Sequence, residues 1–300
     1  LSFQGDDIMP QWLSPDTESA AALLEAHPDY RVLRSLPPLD LLPLPVAEGR
    51  LRTAAIIDTE TTSLDPATGS IIEIAICRVT FDGRGRIVAI GRVHDWLEDP
   101  GHPLPPEIVK LTGLGDQDLA DQRIDDAGVI EMLSTADLIV AHNARFDAAW
   151  IEQRYPSLAG QAWCCSLTDV DWRGLGYEGR QLGALLGEVA GFFNGRHRAD
   201  SDVAALVALL TTMLSSGRTA CSEMILSAQR LTVRITADGA PFEVKDRLKA
   251  RGYKWDQKIR RWWKEVTSNA ADDERAWLAE HAECRHPSLR DITWYQRHRD

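Results

Sequence analysis

Three short stretches of this chain set acids at the edge of apolar runs, and any fold it adopts has to bring those three edges together. AAIIDTETTSLDP spans 54–66, LIVAHNARFDAAW spans 138–150 and RHRADSDVAALVALL spans 196–210. Asp58 and Glu60 lie two apart where a strand runs out, so both side chains can point to one face. Paired carboxylates repel unless something positive neutralises them, and hard divalent cations such as Mg²⁺ or Mn²⁺ prefer oxygen ligands. Taken alone, a solvated strand end would explain the pair as well. Asp147 adds a further acid where the apolar run LIVAHN turns into a helix; its plain alternative is a first-turn acid favoured by the helix dipole. His197 and Asp202 are five residues apart, about 140° around a single helix. Both can reach one site only if His197 belongs to the preceding loop and Asp202 to the helix. Asp200 competes with Asp202, but fits better as the cap or first-turn residue. Four acids and one histidine suggest a two-metal hydrolase.

The surrounding pattern predicts a mixed α/β sheet. AAIIDT, IIEIAICRVTF and RIVAIGRVHDWL read as strands, the last two joined as a hairpin through DGRG. PLPPEIVKLTGL reads as a short helix ending at Gly113, DDAGVIEMLSTA as another, and WCCSLTDV as a strand. GRQLGALLGEVAGF carries Leu182, Leu185, Leu186 and Val189 at helical spacing. A hairpin followed by alternating helices and strands makes this an α/β unit. We place it at 50–216. Residues 1–5, LSFQG, look like the remnant of an expression tag. Residues 6–49 form a helical then proline-rich extended arm, either a brace or a contact for a protein partner. Residues 217–229 read as a linker, and 230–300 as a small β-α-β-β-α module. No run approaches the roughly 18 apolar residues of a membrane span, and five cysteines without a CxxC pair fit a reducing, cytoplasmic setting.

DTETTSLDP, HNARFD and H-x-x-x-x-D, in this order over 58–202, resemble the three motifs of the DEDDh exonuclease family, which includes the proofreading epsilon subunit of bacterial replicative DNA polymerase and RNase T. IIEIAICRV and PLPPEIVKLTGL are also similar to that family. Ser63 departs from it, standing where glycine is common, so a tighter or strained turn is expected there. The resemblance implies an RNase H-like mixed sheet flanked by helices. It also implies that Asp58, Glu60, Asp147 and Asp202 hold two divalent metal ions, Mg²⁺ or Mn²⁺, with His197 as general base. Nucleic acid with a free 3' end would be the substrate and a nucleoside 5'-monophosphate the product. Thr61 and Leu64 would touch the 3'-terminal nucleotide, Thr61 by backbone or hydroxyl contacts and Leu64 by stacking.

A net charge of −12 argues against coating nucleic acid by bulk electrostatics. Yet Arg230 to Glu265 holds eleven Lys or Arg against five Asp or Glu. Within it Trp255, Trp262 and Trp263 interleave with cations, the combination that single-strand binding requires. The same tryptophans could equally form the core of the small α+β module. Single-stranded DNA is the favoured substrate; an exoribonuclease, or a non-catalytic nucleic-acid-binding or polymerase-associated protein on the same scaffold, is the competing reading.

Overall fold

A computed structural model describes residues 15–195 and 197–299; residues 1–5 of the presumed tag lie outside that range. Helix α1 (Pro15–Glu25) leads into an extended arm whose strand β1 (Arg34–Ser35) is held by later residues. Next come three long strands, β2 (Arg52–Thr61), β3 (Ile71–Phe81) and β4 (Ile87–Leu97), each antiparallel to the one before. Short helices α2 (Pro106–Thr112) and α3 (Asp116–Leu119) precede α4 (Asp126–Ser134), β5 (Leu138–Ala141), α5 (Ala144–Arg154) and β6 (Trp163–Cys165). Strands β5 and β6 run parallel to β2, which gives a five-stranded mixed sheet ordered β4-β3-β2-β5-β6.

Strand alternation assigns the two faces. Ala54, Ile56, Ala75, Cys77, Leu138 and Val140 point into one core, while Ala55, Ile57, Ile74, Ile76, Ile139 and Ala141 point into the other. Side chains of β2 and β5 are therefore buried on both faces, which is why these strands read as unbroken apolar runs. The first core is closed by α7 (Ala199–Thr211), whose Val203, Leu206, Val207 and Leu210 are fully buried. The second is closed by α4 and α5 through Val129, Leu133, Ala148 and Ile151. Before α7, helix α6 (Leu182–Leu185) widens into a π-turn over Leu186–Ala190, and β7 (Phe192–Phe193) pairs in parallel with β1. Leu36, Leu39, Leu42 and Leu44 of the arm pack on the first core, so the arm braces the domain.

Several boundaries differ from the sequence reading. The stretch 217–229, expected as a linker, contains α8 (Ala220–Ala228), capped by Thr219 and burying Cys221, Met224 and Ile225 in the first core. Its apolar spacing is helical, but nine residues sandwiched between SSGR and LTVRIT are too few to stand out. The WCCSLTDV strand stops at Cys165, where the Asp169 carboxylate accepts from the Cys165 amide at 2.8 Å and turns the chain.

The C-terminal module comprises β8 (Thr232–Thr236), α9 (Lys245–Ala250), β9 (Lys254–Asp256), β10 (Arg261–Thr267), α10 (Ala271–His281) and an unforeseen strand, β11 (Ser288–Ile292). Its sheet is ordered β11-β8-β10-β9. One face is covered by α9 and α10 through Leu248 and Leu278. Beyond β11 the chain returns to the larger domain. The Trp163 amide donates to the Trp294 carbonyl at 3.0 Å, and Arg299 donates to Glu152 at 2.7 Å and to the Gln161 carbonyl at 2.6 Å. Among the described residues, no helix is long and apolar enough to cross a membrane.

Because Met224 is fully buried, Met224→Ala should destabilise the protein by about 2–5 kcal/mol. Urea unfolding measures this; a change below about 0.5 kcal/mol, the range of ordinary surface substitutions, would mean that α8 is a tether after all.

Candidate active site

Strand β2 carries Asp58 and Glu60 on the face that meets α7, continuing the Ala54 and Ile56 row, and both are half-buried. The intervening Thr59 points to the opposite face. Its hydroxyl donates to Oδ1 of Asp147 at 2.9 Å, joining β2 to α5. Asp147 is 2% exposed. It reaches this position because Asn143 takes a left-handed conformation, φ 85°, and turns the chain sharply from β5 into α5. His142, beside it, lies between the Ser166 hydroxyl at 2.7 Å and the Arg180 carbonyl at 2.9 Å. Burial pushes its imidazole down to about 4, so it is neutral and structural.

Asp202 sits in the first turn of α7 and His197 in the loop before it, with φ +60°. That bend lets the His197 amide donate to Oδ2 of Asp202 at 3.0 Å, while the Asn194 side chain reaches Oδ1 at 3.4 Å. The imidazole is exposed, and Asp200 is an exposed acid of the same turn. Glu60, His197 and Asp202 each place a candidate ligand atom within 4.8 Å of the others.

The acids crowd one another electrostatically. Burial holds the Asp58 carboxyl well above its ordinary range, with further upward pushes from Asp147, Glu60, Asp202 and Glu73. Burial and then Glu73, Asp202 and Asp147 push Glu60 up to about 8. Asp147 is pushed up to about 7 by burial, against the Thr59 hydroxyl bond. Arg198, whose charge acts on Glu60, is already held by Glu73, with Nε to Oε1 at 2.9 Å. An all-oxygen donor set of mutually repelling carboxyls, with a histidine at its rim, fits hard divalent cations.

Sequence reasoning missed the Glu73–Arg198 pair. Glu73 is fully buried, lies opposite Glu60 across the β2–β3 ladder, and fixes the residue next to His197. Its signal was available: one charge inside the apolar run IIEIAIC of a strand buried on both faces demands a partner. The strain expected at Ser63 is absent, since Ser63 does not take a positive φ. Gly69 absorbs the tight packing instead; a Cβ there would come within 2.6 Å of the Ser63 Cβ and 2.8 Å of Trp150. Thr61 is buried with its hydroxyl donated to the Ser63 carbonyl at 2.7 Å, whereas Leu64 is 87% exposed at the tip of that turn. Trp262 packs into the core of the C-terminal module, edge to face with Trp255 at 5.4 Å, and Trp263 lies on the opposite face of β10.

A sheet of this order with carboxyls converging at the end of its central strand defines a nuclease-like α/β hydrolase. The family model described as "Exonuclease" matches residues 55–210, just over half of the chain. DNA polymerase III subunit epsilon of Treponema pallidum is 26% identical over 189 residues, covering 59% of this chain and 83% of that protein. The PolC-type DNA polymerase III of Streptococcus pyogenes serotype M2 is 31% identical over 105 residues, 34% of this chain; the match spans 7% of that much longer protein. In three dimensions, E. coli exonuclease I in complex with a dA16 oligonucleotide superposes with a TM-score of 0.51 at 14% identity, covering 78% of this chain and 72% of that one, a likeness of fold. The chain belongs to this exonuclease family.

The raised carboxyls set a pH dependence for the metal-free protein. Their folded values, about 7 for Asp147 and about 8 for Glu60, exceed the ordinary 3.8 and 4.5 of these side chains. Protonation therefore favours the folded state, and this stabilisation is complete below about pH 4 and lost as pH rises through 7 to 8. In EDTA the thermal midpoint should fall from pH 5 to pH 8, and Asp58→Asn should raise it at pH 8; Mn²⁺ should stabilise the native protein at pH 8 and the variant less. A midpoint in EDTA that is flat with pH would contradict the mutual repulsion.

Proposed function

We propose that this enzyme removes nucleotides one at a time from the 3' end of single-stranded nucleic acid, DNA in preference to RNA, and releases nucleoside 5'-monophosphates. The observation that carries this reading is the meeting of Asp58, Glu60, Asp147 and Asp202 at one end of the sheet with His197 at their rim. These four acids would hold two Mg²⁺ or Mn²⁺ ions, which when bound acidify water and compensate charge on the departing 3'-oxygen. His197 acts as the general base. Imidazole suits proton transfer near neutral pH, and the exposed ring faces the solvent from which water arrives. Arg198, clamped by Glu73, holds the loop that presents it. Leu64 offers an apolar surface to the terminal base, and Thr61 contributes main chain, its hydroxyl being engaged.

Retention of every acid and of the histidine favours an enzyme over a non-catalytic binding scaffold or a passive polymerase subunit. Five buried free cysteines support a reducing, cytoplasmic setting. Digestion of matched 5'-end-labelled DNA and RNA, single- and double-stranded, tests the reading. Single-stranded DNA should shorten stepwise from its 3' end only with Mg²⁺ or Mn²⁺, and internal cuts or metal-independent shortening would contradict it.

His197→Ala should lower turnover by about 10² to 10⁴, the usual contribution of general acid-base catalysis. Metal titration with single-turnover rates separates base from ligand. Normal rates at saturating metal, with collapsed metal affinity, would make His197 a ligand instead.

A further inference from the structure

The C-terminal sheet has one face on its own helices and the other turned to the exonuclease domain. Between them lies a cleft of about 420 Å³, walled on one side by Thr232, Arg234, Lys254 and Trp263 and on the other by Asn143 and Arg145. Among the described residues, five Lys or Arg line it against two acids, Asp169 and Glu265, in a protein of net charge −12. Both acids are already engaged, Asp169 with His298 at 3.1 Å and Glu265 with Arg297 at 3.5 Å. Arg297 is spent on structure as well, donating to the Ala228 and Arg230 carbonyls at 2.9 Å. Arg145, Arg230 and Lys254 are exposed and form no ion pair among the described residues.

One feature of the sheet face points to an anionic occupant. Trp263 is flanked by cations, the Arg234 guanidinium 4.0 Å and the Lys254 ammonium 5.5 Å from its ring centroid. The cleft adjoins the catalytic acids through one turn of chain. His142 and Leu167 border the depression that contains His197 and Asp202, while their sequence neighbours Asn143 and Thr168 border the cleft.

We propose that this cleft holds the phosphodiester backbone of a single strand a few nucleotides upstream of the 3' end under attack, with Arg145, Arg230 and Lys254 as its phosphate contacts. The proposal rests on the exonuclease reading for the polarity of the strand. Phosphate contacts of this kind carry little sequence preference.

The test is binding in EDTA, so that cleavage plays no part. Fluorescence anisotropy follows single strands of about 20 nucleotides, longer than the roughly 4–16 that single-strand sites span, as DNA and as RNA, over a range of salt. Each lost phosphate contact lowers the log-log salt slope by about 0.7, so the combined variant Arg145→Ala, Arg230→Ala, Lys254→Ala should lower it by about 2 and weaken affinity at low salt at least about tenfold. A charge-matched control, Arg50→Ala, Arg84→Ala, Arg218→Ala, alters a depression at the opposite end of β2 and should leave the slope as it was. An unchanged slope in the cleft variant, an equal fall in the control, or tighter binding of a blunt duplex with the same sensitivity would each overturn the proposal. Equal effects on DNA and RNA place recognition in the shared phosphates, as proposed; loss confined to one polymer would overturn that assignment. Absence of any hydrolysis by the native protein with metal would defeat the exonuclease reading and leave the binding result standing.

Discussion

Repulsion among carboxyls in a poorly hydrated corner is the constraint on which this architecture depends. Asp58 and Glu60 stay close because β2 is buried on both faces and has no freedom to splay. Asp147 is kept beside them by the Thr59 hydroxyl, and Asp202 by the His197 amide and the Asn194 side chain. Each tie comes from a different element, so the large apolar cores bear the cost of an arrangement that would otherwise come apart. A second charge group lies beneath: Glu73 is buried opposite Glu60 and is matched by Arg198, with Asp95 3.9 Å from the same guanidinium. This ion pair couples the middle of the sheet to the loop before α7.

Much of this is legible in the amino-acid sequence alone. The strand pattern, the DGRG hairpin and the alternation of helices with parallel strands follow from periods of two and 3.6 in long, strongly patterned segments. The acids were legible because charge at the end of an apolar run has few explanations. Glu73 was not singled out, since a single residue inside a strand produces no motif. Nor did the sequence show that Thr61 spends its hydroxyl on its own turn, a matter of local geometry and not of residue type.

The C-terminal region was harder to read for a physical reason. Its elements are short, β9 having three residues and α9 six, and their apolar positions are interleaved with charge. Alternation in β10 puts Trp262 toward the module's helices and Trp263 toward the cleft, a distinction that composition cannot make. The acid count was similarly blind to location: the overall charge is negative, while the groove between the two units is basic.

The return of the last residues to the larger domain changes what kind of object the module is. It enters from α8, whose side chains are built into the first core, and it leaves through Trp294, His298 and Arg299, which grip the β6 side of the sheet. A unit fastened at both entrance and exit has no free end about which to swing. The groove is thus a channel of set width, closer to a fixed guide than to a flail on a string, and a polymer passing through it meets the same wall at every step.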